Sequence, residues 1–131
     1  MIKVNIKAES RYPVDRIQVR KVVFSVLDKH SIQEALVEIF LVGDRKMKNL
    51  NKKHMGKDKT TDVLSFPLLI KTKESDEQFI TPPKDILRLG DIVISYPQAQ
   101  RQAMENNKTM DEEINFLVEH GLLHLLGIHH E

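Results

Sequence analysis

Cysteine is absent from the 131 residues of this chain. Its absence excludes a disulfide framework and thiolate ligands, so any bound metal must rely on histidine or carboxylate side chains. It also makes a reducing cytoplasm the expected location. With 40% hydrophobic and 30% charged residues, the composition is typical of a globular protein with a sizeable core.

Long apolar runs, tryptophan and a large net charge are missing too. No run approaches the ~20 residues that a membrane span requires, and residues 1–5 do not resemble a signal peptide, so we expect no membrane association. Aromatic residues make up only 5% of the chain, which gives little support to a base-stacking surface. The net charge of +1 is too small to indicate nucleic-acid binding by itself. The length predicts one domain over residues 1–131.

The spacing of apolar residues predicts an α+β fold. It favours strands at 2–7, 35–42, 61–69 and 90–95, and helices at 13–30, 44–54 and 98–106. Asp15 is expected in the first turn of the first helix, and Asp44 is expected to cap the second. A capping-box pattern at 109–112 opens a last helix, and the polar stretch 71–84 predicts a loop. This order predicts a small mixed β-sheet packed by helices, with a central histidine-bearing helix in a zincin-like arrangement.

Four of the six histidines lie in the last twelve residues. His120 and His124 are four residues apart, so that their imidazoles share one face of a helix, and Gly127 can adopt the left-handed conformation that ends it. The resulting turn could direct His130 toward the same point. Three imidazoles with an open fourth position are typical of catalytic zinc, so we predict one Zn²⁺ per chain. His129 is an alternative third ligand, although the spacing favours His130.

Apolar residues surround these histidines on nearly every side, which indicates a buried helix. A buried polar ring without a partner costs about 1–3 kcal/mol, and a cation would satisfy both rings at once. The apolar setting therefore favours a metal site over a chance pair of core histidines.

A basic run occupies residues 45–59, where seven basic side chains accompany one acid, Asp58. Such a run is usually a solvated helix face. Here it leads into a polar, turn-rich segment at 56–67, and cations beside a metal site suit a phosphodiester substrate because they bind phosphates of any sequence. We therefore expect the basic run beside the histidines.

These segments together resemble the YbeY family of zinc-dependent endoribonucleases. The string HGLLHLLGIHH at 120–130 is similar to the family signature H-G-x-L-H-L-x-G-Y-D-H. The segment GKDKTTDVLSFP at 56–67, with LN at 50–51, looks like the second family motif, and LGDIVIS at 89–95 looks like the third. The chain departs from the family pattern at Ile128 and His129, where Tyr and Asp are usual, and at Met55, where the family has arginine.

The resemblance implies that His120, His124 and His130 ligate the zinc. It also implies a metallohydrolase that is a single-strand-specific endonuclease, acting in 16S-type ribosomal RNA maturation and ribosome quality control. The implied partners are single-stranded or ribosomal RNA and the ribosomal small subunit.

The other catalytic residues are less well defined by the sequence. Asp91 and Asp62 are candidates to orient a histidine or accept a proton, and Ser65 is a further polar candidate. Lys57 is a candidate to replace the family arginine, although lysine lacks the bidentate fork. Zinc could activate water or polarise a phosphoryl oxygen, and the sequence leaves both open.

Two other functions remain open. The histidine spacing also fits the metzincin peptidases, but Gly121 stands where those enzymes need a glutamate as general base. A non-catalytic ribosome-assembly or RNA-binding protein with a structural metal is the second alternative, and it would need a fourth protein ligand.

Overall fold

The computed structural model describes residues 1–67 and 87–128. In this part of the chain the strands are β1 (Ile2–Ala8), β2 (Ala35–Val42), β3 (Val63–Pro67) and β4 (Leu87–Ser95). The helices are α1 (Arg16–Lys29), α2 (Asp44–Met55), α3 (Tyr96–Glu105) and α4 (Met110–Leu125), with a short 3₁₀ turn at Glu9–Arg11. None of the helices in the described ranges is long and apolar enough to cross a membrane.

The strands form a mixed sheet in the order β1-β2-β4-β3. The β1–β2 and β2–β4 pairs are parallel, and β3 pairs antiparallel with β4 at the edge. Pro67, which lacks an N–H donor, is the last residue of this edge strand, where a proline is tolerated. The sheet and its helices confirm the predicted α+β fold, whereas a single metallohydrolase domain over residues 1–131 stays a prediction.

Each face of the sheet carries its own hydrophobic cluster. Because side chains alternate along a strand, Ile92 and Ile94 of β4 face the larger cluster, which includes residues of α1 and α4. Val93 faces the other way into a smaller cluster with Val42, Met47 and Leu64, where α2 packs. The basic helix α2 and the histidine-bearing helix α4 therefore lie on opposite faces.

Several element ends differ from the prediction. Strand β4 begins at Leu87 instead of residue 90, because its pairing with β2 continues past a bulge, at which Leu36 pairs with Arg88 and the next residue, Val37, pairs with Gly90. Strand β3 begins at Val63 instead of 61, because the Asp62 carboxylate accepts the Val63 N–H at 2.7 Å. Asp15 is the N-cap of α1, not a first-turn residue, and it accepts the Gln18 N–H at 3.1 Å. The loop predicted at 71–84 lies outside the described residues.

Candidate functional site

Both ends of α4 are fixed by local hydrogen bonds. The predicted capping box is confirmed: Thr109 Oγ1 accepts the Glu112 N–H at 3.0 Å, and Glu112 Oε1 accepts the Thr109 N–H at 2.8 Å. Gly127 has a φ of 80°, as predicted, and its N–H donates to the His124 carbonyl at 3.0 Å. The Ile128 N–H reaches the Leu123 carbonyl at 2.9 Å, completing a Schellman turn. Both ends of the helix are therefore fixed, which restricts the positions of its side chains.

The imidazoles of His120 and His124 lie on one face of α4. Their ring centroids are 4.6 Å apart with planes inclined at 44°, and both side chains are half-buried. Two neutral imidazoles at this separation fit two positions of a tetrahedral zinc site. The predicted third ligand, His130, and its alternative, His129, lie outside the described residues. Within residues 1–67 and 87–128, no group of three or more His, Asp or Glu side chains is arranged to hold a metal.

The expectation that apolar contacts bury α4 on nearly every side is wrong. The helix buries one side against the sheet and α1, through Ile114, Leu117, Val118, Leu122 and Leu125. Phe116, in contrast, is 53% exposed. Apolar residues occur all around the helix, but the sheet and α1 cover only part of it, so the sequence predicts more burial than the structure shows. The histidines consequently lie at the rim of the core, where a ligand can reach them.

Gly121 packs closely against the sheet. A Cβ atom at this position would lie 2.9 Å from Ile92 Cγ2 and 3.4 Å from Val63 Cγ2. Any larger residue would push the helix away from β4 and β3. The packing therefore explains the glycine and excludes the glutamate that a metzincin peptidase needs at this position.

A buried polar network lies on the same stripe of α4 as the histidines. Glu113, which is 2% exposed, precedes His120 by seven residues, or nearly two turns. Gln102 Nε2 donates to Glu113 Oε2 at 3.0 Å and to Asp62 Oδ2 at 3.2 Å. Lys108 Nζ lies 3.1 Å from Glu113 Oε1 as an ion pair, without the angles of a hydrogen bond. Because Asp62 directly precedes β3, this stripe faces the edge strand.

Sequence reasoning missed Gln102 and Glu113. Glu113 belongs to an acidic first turn, which is the ordinary partner of a helix N-terminus. The sequence does contain one signal for Glu113: it lies seven residues before His120, on the same face of the helix as the apolar Leu117. Asp62 was a candidate to serve the histidines. In the structure its carboxylate binds the Val63 N–H and Gln102.

The basic side chains of α2 line an open groove of about 710 Å³. Arg45, Lys48, Lys52 and Lys59 contribute to it, together with Asp44, Asn49, Asp58 and Thr60. The segment after α2 turns back along the helix because Asn51, 3% exposed, donates to the Lys59 carbonyl at 2.9 Å. Gly56 makes the turn with a φ of 72°, and Lys57 follows it in an exposed position. The groove is therefore a positively charged surface with an ordered loop as one wall.

Asp44 does not cap α2, contrary to the expectation. Gly43 is the N-cap, and the Asp44 carboxylate accepts hydrogen bonds from Ser95 Oγ at 2.9 Å, Thr60 Oγ1 at 3.2 Å and Arg101 Nη2 at 2.9 Å. Partial burial acts to raise the pKa of Asp44, but these hydrogen bonds and the Arg101 charge outweigh it and lower the pKa. Asp44 therefore connects α2 to the segment that follows it, through Thr60, and to α3, through Ser95 and Arg101.

The C-terminal parts of helices α2 and α4 both lie near the Pro67 end of β3. The rings of His54 and Phe66 lie 5.0 Å apart at the C-terminal end of α2. Near the end of α4, Leu125 Cδ2 is 3.0 Å from where a Cβ of Gly90 would lie, and Gly90 pairs with Pro67. The basic run was expected beside the histidines. In the structure the two come near each other around this strand end, whereas most of the groove lies on the other face of the sheet.

The three candidate catalytic residues occupy different places. Ser65 pairs in register with Ile92 and shares the sheet face of Val63, which α4 covers. Asp91 pairs with Phe66 on the opposite face, where it lines a small groove of about 160 Å³ with Glu38 and Arg88. Lys57 lies beyond the end of α2. The structure brings Ser65 to the face of the histidines but not Asp91, and the catalytic roles of all three residues stay predictions.

Comparison with known proteins identifies relatives over most of the chain. The family model for endoribonuclease YbeY matches residues 4–131. An endoribonuclease YbeY of Dehalococcoides mccartyi is 45% identical over 97 residues, which are 71% of this chain and 56% of that protein. The endoribonuclease YbeY of Prochlorococcus marinus is 47% identical over 90 residues, or 69% of this chain and 46% of that protein. The chain thus spans about half the length of these relatives.

Further similarity comes from a longer alignment and from a solved structure. An endoribonuclease YbeY of Persephonella marina is 44% identical over 114 residues, covering 86% of this chain and 68% of that protein. The solution structure of TM1509 from Thermotoga maritima matches 98% of this chain and 75% of its own, with a TM-score of 0.62 and 28% identity.

Proposed function

The chain belongs to the YbeY endoribonuclease family, and we propose that it is a zinc-dependent, single-strand-specific endoribonuclease acting in ribosomal RNA maturation. The observation that carries this proposal is the pair of half-buried imidazoles of His120 and His124, 4.6 Å apart at the rim of the core. Two imidazoles four residues apart on one face of a capped and packed helix supply two of the nitrogen ligands that a catalytic zinc requires.

His120 and His124, with His130 as the third ligand, would hold one zinc ion. When bound, zinc supplies either a water of lowered pKa or polarisation of a phosphoryl oxygen. The chain's own contribution is rigidity, because α4 is capped at both ends and packed through Gly121 against β3 and β4. Ser65 lies on the same face of the sheet and is the nearest of the three catalytic candidates to this arrangement in the topology.

RNA would be held by the basic groove of α2. The exposed cations of Lys52 and Lys59 suit phosphates, and lysine tolerates any base sequence because it acts as a point charge. A strand lying in this groove would pass Lys57 and reach the histidines around the end of β3. A single strand can follow this bend more readily than a duplex, which supports a single-stranded substrate. The ribosomal small subunit as partner and the cytoplasm as location belong to the same proposal.

The alternative functions have less support. The contact between Gly121 and Ile92 leaves no room for the peptidase base. A structural metal would call for four protein ligands, and the fourth would have to be His129, whose place next to His130 makes joint ligation unfavourable. The half-buried position of the histidines at the rim of the core also favours a site that admits a substrate.

The test is zinc content and RNA cleavage in a His124→Ala variant. We expect loss of stoichiometric zinc and of cleavage of a single-stranded RNA, because one of three ligands is removed, with far-ultraviolet circular dichroism unchanged. His30→Ala, a change at an exposed histidine at the end of α1, is the matched control and should retain both. Full zinc content and cleavage in His124→Ala would contradict the proposal, and cleavage of peptides instead of RNA would replace it with the peptidase function.

A further inference from the structure

Phe116 is an unusually exposed aromatic side chain beside the histidine pair. It is 53% exposed, so its burial stabilises the core only in part. Its ring centroid lies 6.2 Å from that of His120, and the two planes are inclined by 21°. These values lie within the range of an offset aromatic stack. The ring therefore contacts the candidate metal site.

The three rings of Phe116, His120 and His124 form a continuous row along α4. Each is four residues from the next, and the centroid separations are 6.2 Å and 4.6 Å. Side chains on a helix lean toward its N-terminus, so Phe116 supports His120 from the N-terminal side. The support restricts the direction in which the first imidazole of the pair can turn.

Phe116 is itself held in place by a cation. Lys108 Nζ lies 4.5 Å from the centre of the Phe116 ring, within the range of a cation–π contact. The same ammonium is 3.1 Å from the buried carboxylate of Glu113. Glu113 is fixed in turn by Gln102, so the position of Phe116 is connected to the buried network of the helix. The ring is restrained although half of it is exposed to solvent.

We infer that Phe116 is a positioning residue of the metal site, which holds the His120 imidazole in its ligating orientation. This inference rests on the proposed function, because it presupposes that the histidines bind zinc. A freely rotating imidazole loses rotamer freedom when it binds a metal, whereas a ring already stacked on Phe116 loses less. Partners that orient a metal-ligating histidine commonly change the affinity for the metal. Phe116 would play this part through its ring face.

The test is the zinc affinity of Phe116 variants, measured by competition with a chromophoric chelator. We expect Phe116→Ala and Phe116→Leu to bind zinc about three- to tenfold more weakly than the wild type. Phe116→Tyr, which keeps the ring, should retain wild-type affinity. Phe24→Ala, a change at a comparably exposed phenylalanine (43%) on α1, is the control and should bind zinc normally.

The outcomes separate this inference from the proposed function. Wild-type affinity in Phe116→Ala, or equal affinities in Phe116→Leu and Phe116→Tyr, would overturn the role of the ring while leaving the zinc site intact. Absence of zinc binding by the wild-type protein would overturn both. Urea unfolding of the metal-free proteins checks that all variants are folded at the temperature of the binding measurement, so that a loss of affinity reports on the site.

Discussion

Helices α2 and α4 carry the two candidate halves of the site in contrasting ways. Both run toward the Pro67 end of β3 and both end in a left-handed glycine, Gly56 with a φ of 72° and Gly127 with a φ of 80°. Helix α4 buries seven residues, including the charged Glu113, whereas α2 buries only Met47 and Asn51. The histidines therefore stand on a tightly packed element and the lysines on a largely exposed one.

This contrast matches what each chemistry demands. A metal site needs its donors placed to about half an ångström, and a packed and capped helix provides this precision. Phosphate binding by lysines is far less demanding, because the attraction is electrostatic and each side chain adapts to its partner. If this interpretation is correct, equivalent substitutions should be much more disruptive on α4 than on α2.

The largest difference in stability between the two helices is expected when asparagine replaces Gly121 of α4 or Gly56 at the end of α2. Gly121→Asn would place its Cβ 2.9 Å from the side chain of the fully buried Ile92, so we expect a loss of about 3 kcal/mol of unfolding free energy. Gly56→Asn has no atom within 4 Å of the new Cβ, and asparagine tolerates the left-handed conformation, so the loss should stay below about 1 kcal/mol. Urea denaturation measures both. Equal losses would show that α4 is no more tightly packed than the end of α2.

Removal of one lysine from each helix region should give the next largest difference. Lys108→Met leaves the 2% exposed Glu113 without its cation, which should reduce the unfolding free energy by about 2–3 kcal/mol. Lys46→Met breaks the ion pair with Glu9 at 2.8 Å, whose side chains are 56% and 45% exposed, and should reduce it by less than about 1 kcal/mol.

A second substitution distinguishes charge burial from lost packing in the Lys108 variant. Adding Glu113→Gln to Lys108→Met removes the unpaired buried charge, so part of the lost stability should return. A double variant as unstable as the sum of the two single variants would mean that the ion pair is not the cause. The measurement is a double-mutant cycle in urea.

Local features of this fold were predictable from the sequence because they depend on neighbouring residues. The strand at 35–42, the capping box at Thr109 and the left-handed glycines at 56 and 127 all follow from local spacing and backbone preference. The shared face of His120 and His124 follows from the helical period alone. Each of these features needs no knowledge of which elements pack together.

The relation between elements was not predictable in the same way. Apolar periodicity shows that α2 and α4 each bury a side, but it does not tell which face of the sheet each one covers. The basic groove was consequently expected beside the histidines, although the sheet separates most of it from them. The role of Glu113 was missed because its partner Gln102 is 11 residues away and Asp62, the other carboxylate that Gln102 binds, is 51 residues away. Long-range contacts of this kind determine the site as much as local spacing does.

A smaller effect is expected when lysines of the basic groove are removed, because RNA affinity should change while zinc affinity should not. The double variant Lys52→Gln/Lys59→Gln should lower the slope of log K against log salt concentration for single-stranded RNA by about 1.4, since each phosphate contact contributes about 0.7. Zinc affinity should be unchanged, because α2 and α4 lie on opposite faces of the sheet. The matched control is Lys21→Gln/Lys29→Gln on α1, which removes the same charge. An equal loss of RNA affinity in the control would mean that net charge, not the groove, binds RNA.

The smallest effect concerns Asp44, whose hydrogen bonds hold the lysine-bearing loop to α2. Its pKa is lowered in the folded protein, so its contribution to stability is present above the unfolded value near 3.8 and is lost as the pH falls below it. Because the side chain is 38% exposed, that contribution should stay below about 1 kcal/mol. In urea unfolding between pH 6 and about pH 2.5, Asp44→Asn should be less stable than the wild type at neutral pH and lose less stability on acidification. Arg101→Gln should weaken the same pH dependence, since it removes the charge that favours the ionised carboxylate. If both variants follow the wild-type pH profile, Asp44 does not fix the loop electrostatically, and the order of the basic groove depends on Asn51 instead.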